Sequence, residues 1–153
     1  MSIDDDIAVL ERVPMLRALG RVPLRLIALA AETREVRDGE VLFRPGERID
    51  SAYVVQEGRF HLSTDPDQAG KVIEAGPGAM LGEFAIFAEG AQPLCAKADG
   101  ACTVIRISRS MFLKILDDDA GAALRLRDYI AERVRQSISD VLQVRYTLDP
   151  GED

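Results

Sequence analysis

Between residues 36 and 108 the chain runs through short extended segments that are repeatedly interrupted by turns. The extended runs at residues 52–56 and 60–64 are typical of strands, and the second alternates apolar and polar side chains. Turn sequences separate such runs, for example Asp-Gly-Glu at residues 38–40 and Pro-Gly-Glu at residues 45–47. Many short strands joined by tight turns predict a small antiparallel β-roll, of the jelly-roll or barrel type.

Helical patterns precede and follow this predicted roll. Residues 1–35 carry apolar side chains at helical spacing, and Pro23 suits the first turn of a helix. Residues 109–146 are expected to form two further helices, the first of them capped near Ser108, and residues 147–153 a flexible tail. The chain of 153 residues therefore suits one mainly β domain with N-terminal helices and a long C-terminal helix.

The predicted last helix carries a wide apolar stripe. Its apolar positions recur by threes and fours and include Leu124, Ala131, Val134, Ile138 and Val141. A stripe of this width packs on a barrel and still meets a second copy of itself. We therefore predict a homodimer that forms through this helix.

Charge and hydropathy exclude several classes of protein. A formal charge of −7 argues against a protein that works mainly by coating phosphate backbones. The apolar runs are too short to cross a bilayer, and the N-terminus lacks the basic and apolar regions of a signal peptide. We therefore expect no membrane partner and a cytoplasmic location.

No grouping of residues predicts catalysis, a metal or a cofactor. His61 is the only histidine, and no nucleophile, base and orienter fall together. Cys95 and Cys102 are too few for a disulfide framework, so we expect buried, reduced thiols. In a hairpin that turns at residues 99–101, Cys102 would face Ala98 and not Cys95. We predict that the protein is not an enzyme.

The candidate binding residues follow a Gly-Pro-Gly corner at residues 76–78. Gly82 permits close backbone approach and an unusual φ, and Glu83 stands at the expected start of a short helical turn. Unpaired backbone amides at such a turn favour an anion. The predicted pocket residues are Leu81, Gly82, Glu83, Phe84, Ala85, Gln92, Pro93, Leu94 and Cys95.

Three motifs in order resemble the cyclic nucleotide-binding domain family over residues 13–116. They are Gly-Glu-Val-Leu-Phe-x-x-Gly-Glu from Gly39, Tyr-Val-Val-Gln-Glu-Gly from Tyr53 and Leu-Gly-Glu-Phe-Ala from Leu81. The resemblance implies a β-roll of the double-stranded β-helix type over residues 36–108. It also implies that residues 80–96 are a phosphate-binding cassette, in which a glycine and a glutamate contact ribose and an arginine neutralises the cyclic phosphate.

The cassette arginine is absent from this chain, which has no arginine between Arg59 and Arg106. Depending on the alignment, Gln92 or Leu94 takes its place, and Gln92 is either a neutral substitute or a plain loop residue. Two compensations are open. In the first, another cation reaches the pocket, which would be Lys97 or one of Arg125 and Arg127 from the last helix. In the second, the pocket takes a less anionic ligand.

Two functions follow from the resemblance. The first is a stand-alone regulatory or sensor module that binds cyclic nucleotides weakly or in an altered way and signals through the C-terminal helix. The alternative is a degenerate, ligand-free domain that acts in dimerisation or protein interaction. Because no helix-turn-helix follows the long helix, the resemblance implies no DNA-reading module.

Overall fold

We describe the protein from a computed structural model that covers residues 2–67 and 70–148, the last five by their backbone alone. Three helices come first: α1 (Ile3–Leu10), α2 (Pro14–Arg17) and α3 (Arg21–Ala30). The strands follow: β1 (Glu32–Val36), β2 (Val41–Phe43), β3 (Ser51–Ser63), β4 (Ile73–Ala75), β5 (Met80–Leu81) and β6 (Cys95–Ser108). A 3₁₀-helix (Glu83–Ile86) lies between β5 and β6, and α4 (Arg109–Asp118) and α5 (Ala120–Leu148) follow β6.

The strands form one antiparallel sheet whose spine is the long pair β3 and β6. The path runs β1-β6-β3-β4, with β2 also paired to β6 and β5 also paired to β3. The pairing of β3 with β6 extends from Ser51 opposite Ser108 to Ser63 opposite Cys95. This six-stranded sheet with helices at both ends confirms the predicted mainly β architecture.

The prediction of two strands at residues 52–56 and 60–64 is wrong, because β3 is continuous through both. The register with β6 shifts on either side of Glu57, and Gly58 has a φ of +86°. A glycine inside a strand often hosts a bulge, which bends the strand and leaves its pairing intact on both sides. The Glu-Gly pair therefore marks a bulge in one strand and not a turn between two.

The predicted hairpin at residues 99–101 is also wrong, because β6 runs without a turn to Ser108. Glu57 pairs with Thr103 and Arg59 with Asp99, so residues 100–102 lie opposite Gly58 alone. On its other side, Cys102 pairs with Val36 of β1, not with Ala98.

Two element boundaries also differ from the predictions. Strand β1 begins at Glu32, so the helical lead-in ends at Ala30 and not at residue 35. Most of β1 is exposed, which removes the apolar alternation that marks a strand in a sequence. Helix α5 includes residues 147 and 148, which the sequence places in a tail, and residues 149–153 lie outside the described residues.

The sheet separates two apolar clusters because neighbouring residues of a strand face opposite sides. Val54 of β3 packs beneath the helices with Leu16, Ile27 and Phe112, whereas its neighbour Val55 packs inside the roll. Because both faces are covered, the first residues of β3 are buried without interruption.

The cassette crosses from one apolar cluster to the other. Leu81 belongs to the cluster inside the roll, and Ile86 belongs to the cluster beneath the helices. Both side chains are buried, so the segment between them is held at each end. The packing thus determines where the candidate site residues lie.

Helix α5 packs on the domain through its first turns only. Ala122 and Leu126 are buried, whereas every residue from 131 to 143 is exposed. Asp119 caps the helix, since its carboxylate accepts a 3.0 Å hydrogen bond from the amide of Ala122. Among the helices described, none has the length and hydropathy that crossing a bilayer requires.

Candidate functional site

Gly82 stands at the start of the 3₁₀-helix in a left-handed conformation, with φ +69° and ψ 33°. A Cβ atom at this position would lie 2.9 Å from Cδ1 of Ile49. The left-handed dihedral angles favour glycine, and any side chain here would also displace the end of Ile49. The backbone can therefore turn sharply at the rim of a pocket.

A small cavity, which we call the inner pocket, lies between this turn and the strands, with a volume of about 160 Å³. Seven of the nine predicted pocket residues line it: Leu81, Gly82, Glu83, Phe84, Gln92, Pro93 and Leu94. Phe43, Leu62 and Met80 also line it and were missed. Leu62 shares a strand face with Phe60 in the alternation of β3, which was a signal for a position inside the roll.

The other two predicted pocket residues, Ala85 and Cys95, do not line the inner pocket. Ala85 is buried, and its carbonyl oxygen accepts a hydrogen bond from Arg109. Cys95 is fully buried, with its Sγ 3.4 Å from Oγ of Ser63. Their apolar or weakly polar side chains are thus part of the packing beside the pocket.

Gln92 is held firmly by its backbone, while its side chain faces the pocket. Its amide donates to the carbonyl of Glu47 at 2.9 Å, and its carbonyl accepts from the amide of Gly46 at 2.7 Å. The residue is only 6% exposed, and Oε1 lies 3.7 Å from the point that a Cβ on Gly82 would occupy. Its carboxamide is not among the fully buried side-chain groups without a partner, so it is accessible from the cavity.

No arginine or lysine is among the described residues that line the inner pocket, and Glu83 is the charged group there. The three cations named above as replacements for the missing arginine form their bonds elsewhere. Lys97 approaches the carbonyl of Pro66 at 3.5 Å, and Arg125 donates to the carbonyl of Leu19 at 3.0 and 2.7 Å. Arg127 contacts Asp128 at 3.3 Å, on the exposed side of α5. The pocket is therefore electrostatically unfavourable for an anion.

The amides of the short turn are partly used within it. The amide of Ala85 donates to the carbonyl of Gly82 at 3.0 Å. The amides of Phe87 and Ala88 both donate to the carbonyl of Phe84 at 3.2 Å. The expectation that the amides after Glu83 are unpaired is thus wrong for Ala85.

A larger cavity of about 740 Å³, which we call the outer cleft, separates the turn from α5. It shares Glu83 and Phe84 with the inner pocket, so the two cavities adjoin. Its lining is mostly apolar and includes Phe87 from the cassette side and Ile130 and Val134 from the helix. Phe84 is 69% exposed and stands where the cavities meet.

Arg109, which the sequence analysis missed, ties the cassette to the helices. Its guanidinium donates to the carbonyl of Ala85 at 2.6 Å and to that of Ile49 at 3.0 Å. Its amide donates to the carbonyl of Asp50 at 2.8 Å. A hydrogen bond from Ser51, and then the charge of Arg106, hold the pKa of the Asp50 carboxyl below its usual value. One arginine thus connects the turn, the β2–β3 loop and the first turn of α4.

The sequence and the fold of this chain are similar to those of known proteins. The family model of the cyclic nucleotide-binding domain matches residues 33–119. A cyclic nucleotide-binding-like protein from Brucella abortus is 40% identical, with a TM-score of 0.66 over 74% of this chain and 98% of that chain. The N-terminal domain of a transcriptional regulator from Streptomyces coelicolor is 24% identical and shares the fold, with a TM-score of 0.79 over 87% of this chain and 94% of that domain.

A much longer protein also contains a related segment. A lysophospholipase from Neurospora crassa is 28% identical over 116 residues, which are 74% of this chain. The chain spans only 8% of the length of that lysophospholipase.

Proposed function

Since the chain belongs to the cyclic nucleotide-binding domain family, we propose that it is a regulatory module with weak or altered cyclic nucleotide binding. The ligand would lie in the inner pocket, against Gly82 and Glu83. The observation that supports this proposal most directly is the lining of that pocket, which includes Glu83 and Gln92 but no arginine or lysine among the described residues.

The expected loss of affinity is large. Removing one partner of a buried charge pair costs about 2–5 kcal/mol. At about 1.4 kcal/mol per decade, this corresponds to roughly 30-fold to several thousand-fold in affinity. The pocket volume of about 160 Å³ also lies below the roughly 300–1,000 Å³ that is usual for ligand sites. A cyclic nucleotide therefore binds less tightly than it would to a pocket with an arginine.

Ligand binding would be relayed to α5 through two contacts. Phe84 lines both the inner pocket and the cleft beneath α5, and Arg109 joins the turn to α4, which leads into α5. A ligand that binds one position of the turn more tightly than the other shifts the equilibrium between the two corresponding positions of the helix. The size of this shift is set by the difference between the ligand's affinities for the two states.

Calorimetric titration with cAMP and cGMP tests this proposal. We expect dissociation constants above about 100 μM, a free energy of binding weaker than roughly −5.5 kcal/mol. Gln92→Arg should strengthen cAMP binding at least tenfold, whereas Gln136→Arg adds the same charge on the exposed side of α5 and should not. Micromolar binding of cAMP by the unaltered protein would contradict the proposal.

The exposed half of α5 favours a second function, dimerisation with another copy of this chain. Every residue from 131 to 143 is exposed, and Val134, Ile138 and Val141 form an apolar row along the outer cleft. An isolated helix of this length is marginal in water, so an apolar partner would stabilise it. A second copy carries the same stripe, and a two-fold axis would place the two stripes against each other.

Light scattering coupled to size exclusion tests the dimer. The unaltered chain should have twice the mass of the monomer, and Ile138→Glu should have the monomer mass. Ser139→Glu, on the adjacent position of the same exposed helix, adds the same charge outside the stripe and should stay dimeric. A monomeric unaltered chain would contradict this second function.

The proposal assigns the chain no catalytic role and no cofactor. Among residues 2–67 and 70–148, no group of three or more His, Cys, Asp or Glu side chains could hold a metal ion. The cytoplasmic location and the absence of a DNA partner stay predictions.

A further inference from the structure

This inference rests on the proposed function and concerns the ligand of the same site. We infer that the ligand is an uncharged molecule that joins a hydroxyl-bearing ring to an apolar or aromatic ring, as a nucleoside does. The inner pocket takes the hydroxyl-bearing ring, and the outer cleft takes the other. Three features of the site lead to this class of molecule.

The first feature is the charge of the inner pocket. Glu83 is the charged residue in its lining, so a ligand with a phosphate meets a carboxylate and no cation among the described residues. A carboxylate accepts hydrogen bonds with both oxygens, and two neighbouring hydroxyl groups can donate to it together. The pocket thus favours a neutral ligand with adjacent hydroxyls over an anion.

The second feature is the carboxamide of Gln92. The residue as a whole is 6% exposed, and its side chain lines the pocket. Among the described residues, Oε1 of Gln56 is the one fully buried polar side-chain atom without a partner, so the carboxamide of Gln92 stays accessible from the cavity, where a ligand can pair with it. The carboxamide offers a donor and an acceptor and carries no charge, so it pairs well with a hydroxyl, an ether oxygen or another amide.

The third feature is the size of the two adjoining cavities. The inner pocket of about 160 Å³ equals the volume of about five water molecules, which is enough for one small ring with its hydroxyls. The outer cleft is mainly apolar, and the exposed ring of Phe84 stands between the two. An aromatic ring can stack on that phenyl group while its polar half enters the inner pocket.

Arg133 lines the outer cleft but not the inner pocket. It is therefore not part of the inner-pocket lining in which the missing arginine would stand. If the outer cleft instead attracted an anion through this side chain, Arg133→Gln would weaken binding of cAMP more than binding of adenosine.

Adenosine and cAMP form the appropriate pair of probes, because they differ only in the cyclic phosphate. Titration of the full chain should show adenosine binding at least tenfold more tightly than cAMP. In Gln92→Leu, which keeps the size but removes the carboxamide, adenosine binding should weaken at least tenfold. In Gln92→Arg, the order of the two ligands should reverse. 2′-Deoxyadenosine, which lacks one of the paired hydroxyls, should bind more weakly than adenosine to the unaltered chain.

The outcomes separate this inference from the proposed function. If cAMP binds more tightly than adenosine, the inference is overturned while the regulatory module stands. If neither ligand binds at millimolar concentration, both the inference and the sensor role fail, and dimerisation is left. Thermal unfolding of each variant ensures that a loss of binding reflects the pocket, since a misfolded variant would melt early or without cooperativity. If Gln92→Leu does not fold, the reversed order of affinities for adenosine and cAMP expected in Gln92→Arg still tests the inference.

Discussion

Nε of Arg109 lies 2.6 Å from the backbone oxygen of Ala85, which joins the first turn of α4 to the short turn of the cassette. A second hydrogen bond from the same guanidinium reaches the carbonyl of Ile49, whose side chain approaches Gly82. The cassette is thus connected to the helices through side-chain hydrogen bonds as well as through apolar packing. A movement of the turn would therefore strain or break these hydrogen bonds to the first turn of α4.

Replacing Arg109 tests this connection. Arg109→Leu removes two hydrogen bonds from a charged donor, each of which contributes about 1.5–3 kcal/mol. Because both bonds are only partly buried, water replaces part of each, and we expect the free energy of unfolding to fall by about 2–4 kcal/mol, less than the full sum of about 3–6 kcal/mol. Hydrogen exchange at Ala85 to Phe87 should accelerate. Arg127→Leu, which removes an exposed arginine paired only with its neighbour, should change neither by more than about 0.5 kcal/mol.

Gly82 should not tolerate a side chain. Gly82→Ala places a Cβ 2.9 Å from Ile49 in a left-handed residue, and that conformation alone costs roughly 1–2 kcal/mol for L-residues. We expect a loss of about 1–3 kcal/mol in urea unfolding. Gly90→Ala is the matched control, because a Cβ there meets nothing within 4 Å. Equal stability of the two variants would show that the strain at Gly82 is absent.

Gly58 should be more sensitive still, because the backbone of the bulge approaches it closely. A Cβ at this position would lie 2.6 Å from both the carbonyl oxygen of Ala101 and Sγ of Cys102. We expect Gly58→Ala to lower the free energy of unfolding by about 2–5 kcal/mol, since overpacking adds roughly 1–3 kcal/mol to a conformational strain of roughly 1–2 kcal/mol. Gly39→Ala has a similar φ of +80° but open space, so it measures the conformational cost alone.

Cys102 should react slowly in the folded protein. Burial raises the pKa of its thiol, so the reactive thiolate is scarcer than in an unfolded chain. The unfolded thiol loses its proton first, so the stability from the buried neutral thiol is present below about pH 8.5 and declines as the pH rises further. Labelling with a thiol reagent at pH 8 should be at least tenfold faster in denaturant than in buffer, and equal rates would contradict the burial of this side chain.

Local patterns were sufficient for the general architecture, and the motifs identified seven of the ten residues that line the inner pocket. The turns and the alternation of residues 60–64 predicted an antiparallel roll, and the order of motifs placed Gly82, Glu83 and Gln92 in one segment. The absence of an arginine between residues 59 and 106 can be read without coordinates. These features are local, because periodicity and turn chemistry depend on residues close together in the chain.

Contacts between distant residues required the folded chain. The glycines at positions 58 and 100 look like turns, and only the pairing of β3 with β6 makes them parts of one bulge. In the same way, Arg125 bonds to Leu19, and Arg109 bonds to Ala85, across long separations in sequence. A strand is stabilised by its partner across the sheet, and an arginine is held by the carbonyl that packing brings within reach. Both partners are distant in sequence, so the residues next to the strand or the arginine do not reveal them.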